Sequence, residues 1–310
     1  MDLAPTPIVE SPTINARVGR RVLFKMECHQ PPGSFKIRGM SHLMSRRAAE
    51  GMRHFVSSSG GNAGLAVAYC AAKLGLSATV VVPETTNPQV REKLASYGAE
   101  VRVSGSAWDE ADQVARALCA SGEAAYVSPF NDPLLWEGHA SLADEAATQI
   151  ERPDAVIISV GGGGLLSGLL QGMHRNGWEE VPVIAAETEG AASFAAAVAA
   201  GGPVSIERIT SIATSLGARQ VADQAFRWTQ RHEIRSAILS DRDAIAGCLT
   251  FADHLRVLVE PACGVSLAVV EQAHPAVQGC DTLLVVVCGG AAVNASLLCQ
   301  WRDQLAQAQR

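Results

Sequence analysis

Short runs rich in Val, Ile and Leu recur along this chain, each separated from the next by a longer Ala- and Leu-rich stretch of helical character. No other feature limits the fold as strongly, because strands that alternate with helices build a mostly parallel sheet covered on both faces. The class expected is therefore α/β. The spacing predicts strands at Arg21–Met26, His54–Ser57, Ala78–Val82, Glu100–Val103, Ala124–Val127, Ala155–Val160, Val183–Glu187 and Leu283–Cys288. Helices are predicted over Asn62–Leu74, Pro88–Tyr97, Trp108–Ser121, Glu137–Gln149, Leu165–Arg175 and Asp241–Leu255, each opening near a cap or turn signal, with one more between Cys288 and Arg310.

At 310 residues, with 48% hydrophobic side chains, the chain exceeds one minimal core. No low-complexity linker divides it, and no repeat of about 20 to 50 residues is present. The block from Ile37 to Asn131 holds a complete set of four strand candidates. The expected organisation is two interlocked three-layer domains, with residues 37–131 inserted into a larger unit made of residues 1–36 and 132–310. The active site would lie in the cleft between them.

Charge and patterning exclude several functions. A net charge of -6 without a dense Lys/Arg run lacks the electrostatic term of a nucleic-acid surface. Apolar stretches such as Ala191–Ala200 and Leu283–Cys288 fall short of the roughly 20 residues of a membrane helix. The opening Met1-Asp2-Leu3-Ala4-Pro5 has no basic region ahead of an apolar one, so the expected location is the cytoplasm. Eight cysteines without a C-x-x-C pair read as reduced thiols, and eight histidines show no H-x-x-x-H or H-E-x-x-H spacing for zinc.

Four segments carry chemistry. Only Lys25, Lys36, Lys73 and Lys93 are lysines, and Lys36 sits in Pro31-Pro32-Gly33-Ser34-Phe35-Lys36-Ile37-Arg38-Gly39, after a proline-stiffened turn and before a helix. A lysine desolvated beside an aromatic ring has a lowered pKa and can form a Schiff base, although the segment alone also reads as a surface lysine at a helix start. Ser57-Ser58-Ser59-Gly60-Gly61-Asn62-Ala63-Gly64 follows a strand and opens a helix, so it suits a carboxylate or, more plainly, a turn capped by Asn62. Gly161-Gly162-Gly163-Gly164 between strand and helix is costly to order and fits a phosphate cradle, but not the G-x-x-x-x-G-K-[ST] loop. Leu283 to Gly290 is an apolar strand ending in Cys288 and a glycine pair, where α/β sheets bind ligands.

Taken in this order, the segments resemble the fold type II pyridoxal-phosphate enzymes, most closely the short serine dehydratases. The resemblance covers nearly the whole chain and extends to Glu187-Thr188-Glu189-Gly190-Ala191-Ala192-Ser193-Phe194, to Ile209–Gly217 and to Val259-Glu260-Pro261-Ala262-Cys263-Gly264. It implies Lys36 as the Schiff-base lysine, with Phe35 on one face of the cofactor and Ser215 on the other. Gly161, Gly162, Gly163, Gly164 and Leu165 would bind the phosphate, Asn62 the pyridine 3'-hydroxyl, and Ser59, Gly60, Gly61 and Asn62 the substrate carboxylate. Cys288 would face the pyridine nitrogen, where a neutral thiol favours elimination over longer-lived carbanion chemistry. Potassium is implied at Gly161, Glu187, Ala191, Leu216 and Ala218.

The implied reaction is dehydration and deamination of L-serine to pyruvate and ammonia, with L-threonine giving 2-oxobutyrate, in a homodimer. Lys36 would act as general base. Related serine racemases carry a serine where Gly60 stands, so racemisation is not expected, and the missing side chain would leave room near the substrate. Ala292 and Val293 occupy positions where more polar residues are expected. The competing readings are a threonine-preferring dehydratase, a β-replacement enzyme of the cysteine synthase kind, a catalytically silent binding module, and a nicotinamide-dependent dehydrogenase. The last leaves Lys36 unexplained.

Overall fold

A computed structural model describes Met1 and residues 3–307. Its ten strands are β1 (Ile8–Glu10), β2 (Arg21–Lys25), β3 (His54–Ser57), β4 (Ser77–Val82), β5 (Glu100–Val103), β6 (Ala125–Tyr126), β7 (Ala155–Ser159), β8 (Val183–Thr188), β9 (Ile234–Leu239) and β10 (Thr282–Val286). They form a six-stranded sheet of order β1-β2-β10-β7-β8-β9 and a four-stranded sheet of order β5-β4-β3-β6. Every pairing is parallel except β1 with β2. The chain leaves the larger sheet after β2, builds the smaller one from β3 to β6, and returns at β7.

Among the described residues, twelve α-helices cover the sheets: α1 (Pro12–Val18), α2 (Lys36–Ala49), α3 (Asn62–Leu74), α4 (Pro88–Ser96), α5 (Trp108–Leu118), α6 (Pro133–Gln149), α7 (Gly164–Arg175), α8 (Ser193–Ala200), α9 (Asp223–Trp228), α10 (Asp241–Thr250), α11 (Pro261–Glu271) and α12 (Ala295–Gln307). One apolar core surrounds the larger sheet and includes Phe24, Ile157, Ile184 and Val285. A second joins Phe55 and Val80 of the smaller sheet to Met40 of α2, Leu65 of α3 and Leu135 of α6. The expected α/β class is the observed one.

Burial explains which elements could be read in advance. Every residue of β7 and β8 is buried, and such strands read as continuous apolar runs. The edge strands β1 and β9 were not anticipated: β1 has three residues, and β9 exposes Ser236 and Ile238 on either side of buried Ala237. Helices α1, α8, α9 and α11 were also missed. In α11 everything from Pro261 to Val270 is buried, so no polar face marks a helical period.

Three boundaries are corrected. The helix expected from Glu137 starts at Pro133, because Asp132 accepts the Leu134 N–H at 2.8 Å and Pro133 takes the first helical position. The helix expected over Asp241–Leu255 is α-helical to Thr250, widens to a π turn over Phe251–Leu255, and stops at Arg256 with φ 60°. Strand β10 ends at Val286, so Cys288 lies in the loop beyond it.

Candidate active site

The start of α2 presents Lys36, and buried charges fix that start. Arg38 reaches Glu27 Oε2 at 2.6 Å and Glu145 Oε1 at 2.7 Å, while Lys25 Nζ lies 2.8 Å from Glu145 Oε2. Two cations and two carboxylates thus balance one another behind the helix, which makes their burial tolerable. Lys36 itself has no carboxylate partner among the described residues. Its Nζ donates to the Pro129 carbonyl at 2.5 Å and sits 5.2 Å from the centre of the Phe35 ring. Burial pushes its pKa down to about 8. Lys25 commits its three protons to Thr6, Glu145 and Gln149, and Lys73 is exposed over Tyr69.

Three loops at the C-terminal ends of parallel strands face this lysine or one another. After β3, the Ser58 hydroxyl donates to Asp112 Oδ1 at 2.6 Å, and the Tyr126 hydroxyl donates to the same oxygen. Arg116 Nε pairs with Asp112 Oδ2 at 2.7 Å, its guanidinium 4.3 Å from the centre of the Tyr126 ring. A side chain on Gly64 would collide with the Ser59 carbonyl, so the loop can fold back onto α3 only over glycine.

Asn62 is the first residue of α3 and Gly61 its N-cap, which corrects the expected Asn62 cap. The Asn62 amide is occupied across the cleft instead: Oδ1 accepts the Ala291 N–H at 2.9 Å, and Nδ2 donates to Glu260 Oε2 at 3.1 Å. The room expected at Gly60 is also absent. A Cβ there would lie 2.8 Å from Thr86 Cγ2 and 3.2 Å from Val82 Cγ1.

After β7, the glycine run turns into α7 with Gly163 at φ 82° as N-cap. Side chains at Gly162 and Gly164 would run into Phe130, and one at Gly161 would come within 2.9 Å of the Leu216 Cα. The first N–H groups of α7 have no intrahelical acceptor and leave Leu165 and its neighbours suited to an anion. Pro129 and Phe130 therefore link the Lys36 amine to the glycine turn.

After β10, Cys288 Sγ lies 3.4 Å from the Ser159 hydroxyl, and the Cys288 carbonyl accepts the Phe35 N–H at 3.2 Å. The neighbouring Cys263 thiol is pushed well up by burial. Ala292 donates its backbone N–H to Glu260 Oε1 at 3.2 Å. Main-chain groups at Ala291 and Ala292 supply the polarity there, which explains why polar side chains are not needed.

Glu187, the penultimate residue of β8, is fully buried, its two oxygens accepting the N–H groups of Phe194 at 2.8 Å and Ala195 at 2.9 Å. Burial raises its pKa to about 7 against those two bonds. Ser193, the first residue of α8, is buried, and its hydroxyl has no partner among the described residues. Leu216 packs on Gly161, Ala191 is fully buried, and Ala218 donates its N–H to the Leu216 carbonyl at 2.8 Å. No group of three or more His, Cys, Asp or Glu side chains suited to a metal occurs among the described residues.

The residue that sequence reasoning missed is Glu260. It takes hydrogen bonds from Asn62, Ser215 and Ala292, and so joins the serine loop to the rest of the cleft. Its signals in the sequence are its place in the segment Val259-Glu260-Pro261-Ala262-Cys263-Gly264, which shares in the resemblance without assigning it a role, and its position ahead of Pro261 at the start of an apolar stretch.

These contacts tie a buried lysine, a glycine turn, a serine loop and the Cys288 loop into one site, with parts drawn from the strand ends of both sheets. The model of the pyridoxal-phosphate dependent enzyme family matches residues 1–289, and the chain belongs to that family. It is 45% identical to the human L-serine dehydratase/L-threonine deaminase over 316 residues, covering 98% of this chain and 96% of that protein. Among solved structures, a fungal L-serine ammonia-lyase from Rhizomucor miehei gives a TM-score of 0.93 at 32% identity, covering 98% of this chain and 99% of that one. Maize serine racemase gives 0.89 at 25% identity, covering 99% and 94%.

Proposed function

We propose that the protein is a pyridoxal-phosphate-dependent ammonia-lyase that converts L-serine to pyruvate and ammonia and also takes L-threonine to 2-oxobutyrate. The observation that carries this reading is the meeting of Lys36, the Gly161–Gly164 turn and the Asn62 and Cys288 loops around one cleft, in a chain 45% identical to a human protein bearing both activities in its name. The residues fit the cofactor: a lysine with no carboxylate partner, a turn whose neighbours exclude any side chain, and an amide that keeps one proton to donate.

When bound, the cofactor supplies an electron sink for the pair left on the substrate Cα. Lys36 would hold it covalently and would accept the Cα proton at Nζ, for which a pKa of about 8 is well matched. Gly161, Gly162, Gly163, Gly164 and Leu165 would bind its phosphate through N–H groups, Phe35 and Ser215 would bound its two faces, Asn62 would meet its ring hydroxyl, and Cys288 would face its ring nitrogen. Ser59, Gly60, Gly61 and Asn62 hold the substrate carboxylate. The proton removed from Cα balances the one the β-hydroxyl takes up to leave as water, and hydrolysis of the resulting enamine gives the oxo acid and ammonia.

The Ser193 hydroxyl, without a partner among the described residues and one residue before the Phe194 N–H that Glu187 accepts, fits a monovalent cation, and we assign potassium to Gly161, Glu187, Ala191, Leu216 and Ala218, with Ser193 as a further oxygen. The proposal includes the division at residues 37–131, supported by the separate four-stranded sheet, together with a homodimer and a cytoplasmic location. Gly60, roofed by Thr86, offers no proton to the opposite face of the substrate, and this supports elimination over racemisation.

Incubation with L-serine and with L-threonine tests the assignment, with pyruvate and 2-oxobutyrate followed through lactate dehydrogenase and D-serine through chiral chromatography. Both oxo acids and no D-serine are expected. D-serine alone, or a product formed only with O-acetylserine and sulfide, would contradict the proposal.

A further inference from the structure

Glu260 has no part in the roles assigned above, yet donors from three segments converge on its carboxylate. Asn62 Nδ2 approaches its two oxygens at 3.3 and 3.1 Å, the Ala292 N–H reaches Oε1 at 3.2 Å, and the Ser215 hydroxyl donates to Oε2. The side chain is buried, 7% exposed, ahead of α11, in space that a Cβ on Gly290 would fill. An ionised carboxylate accepts and never donates, so each partner must turn a hydrogen toward it.

We infer that Glu260 is a positioning residue that fixes the orientation of the Asn62 amide, and with it the donor that Asn62 offers to the cofactor; this rests on the reading of the site given above. Oδ1 of Asn62 is already taken by the Ala291 N–H at 2.9 Å. A flipped amide would set its oxygen against the Glu260 carboxylate and its NH₂ against the Ala291 N–H, two contacts that repel. With the flip locked, one Nδ2 proton goes to Glu260 and the second remains to be given away. Whatever lies against it must be an acceptor, as an ionised hydroxyl on an aromatic ring is. The same carboxylate spans the cleft, since Asn62 opens a helix of the four-stranded unit, while Ser215, Glu260 and Ala292 lie in the chain after β7.

Glu260→Gln tests this with little change of shape. One of its two termini becomes a donor, which meets either the Ala292 N–H or the Ser215 and Asn62 donors. Two readouts independent of turnover are the pyridoxal-phosphate affinity of cofactor-stripped protein, measured by quenching of intrinsic fluorescence, and the position of the visible band after loading. The Gln variant is expected to bind about tenfold or more weakly, with a displaced band. Glu260→Asp, which keeps the carboxylate on a shorter stem, is expected to fall between. Wild-type affinity and band in a folded Gln variant, checked by its thermal midpoint without cofactor, would overturn the inference. Should the Gln variant not fold, wild-type values in the Asp variant would overturn it equally. Wild-type protein that takes up no pyridoxal phosphate would defeat the reading of the site itself, a result distinct from normal uptake that the variants leave unchanged.

Discussion

The loop after β3 and the loop after β7 stand in matching places, each leaving the C-terminal end of a parallel strand and opening a helix, but opposite means hold them. In the first, Ser58 is tied to Asp112, which is tied in turn to Tyr126 and Arg116. In the second, the bond from the Ser167 hydroxyl to the Gly163 carbonyl at 2.9 Å comes from inside the helix the turn opens, and Phe130, Leu216, Val221 and Ala225 press on glycines that have nothing to yield. The serine loop therefore depends on groups that are present, and the glycine turn on groups that are absent. Adding a methyl should wreck one, whereas deleting a hydroxyl should only loosen the other.

The sharpest break is Gly162→Ala. Its methyl runs into the Phe130 ring, and the Phe130 carbonyl holds the Trp136 indole at 2.9 Å, so retreat disturbs α6 as well. A loss of about 3 kcal/mol in a urea melt, together with failure to take up pyridoxal phosphate, is expected. A stable variant with normal uptake would mean that the turn is not set by packing.

Lys36 borders the glycine turn through Pro129 and Phe130, and its pKa reports how dry that space is. The neutral amine attacks the cofactor aldehyde, so a pKa lowered from 10.5 to about 8 should make the rate of band formation in stripped protein rise with pH and level off near 8. Below that point the rise is about tenfold per pH unit. A rate still climbing beyond pH 10 would show an ordinary, solvated lysine.

Asp112→Asn tests the bonded loop. It removes the charge that gathers Ser58, Tyr126 and Arg116, and is expected to cost about 1–2 kcal/mol of stability. It should also raise KM for serine more than it lowers kcat, because the loop it steadies is the one assigned to the carboxylate. Ser58→Ala should do the same more weakly, near 1 kcal/mol, since Tyr126 still reaches Asp112. Equal losses in kcat and kcat/KM for both variants would move the loop's role from binding to chemistry.

What could be read in advance follows the same division. Central strands buried on both faces, such as β7 and β8, announced themselves as apolar runs, and the glycine run marked a turn pressed by neighbours before any neighbour was known. Half-exposed edges such as β9 and fully buried helices such as α11 lack that contrast. Within the site, Lys36 stood out because lysines are scarce here, whereas Glu260 did not, because its importance lies in three partners drawn from distant parts of the chain. The extra room expected at Gly60 was wrong for a related reason: Thr86, which fills it, lies on another loop.

The central claim is that Lys36, alone among four lysines, carries the cofactor. Borohydride reduction of the protein loaded with pyridoxal phosphate, followed by peptide mass mapping, tests it directly. The account predicts one phosphopyridoxyl adduct, on the peptide containing Lys36, and none on Lys25, Lys73 or Lys93. An adduct on any of those three with Lys36 unmodified, or no adduct at all, would contradict it.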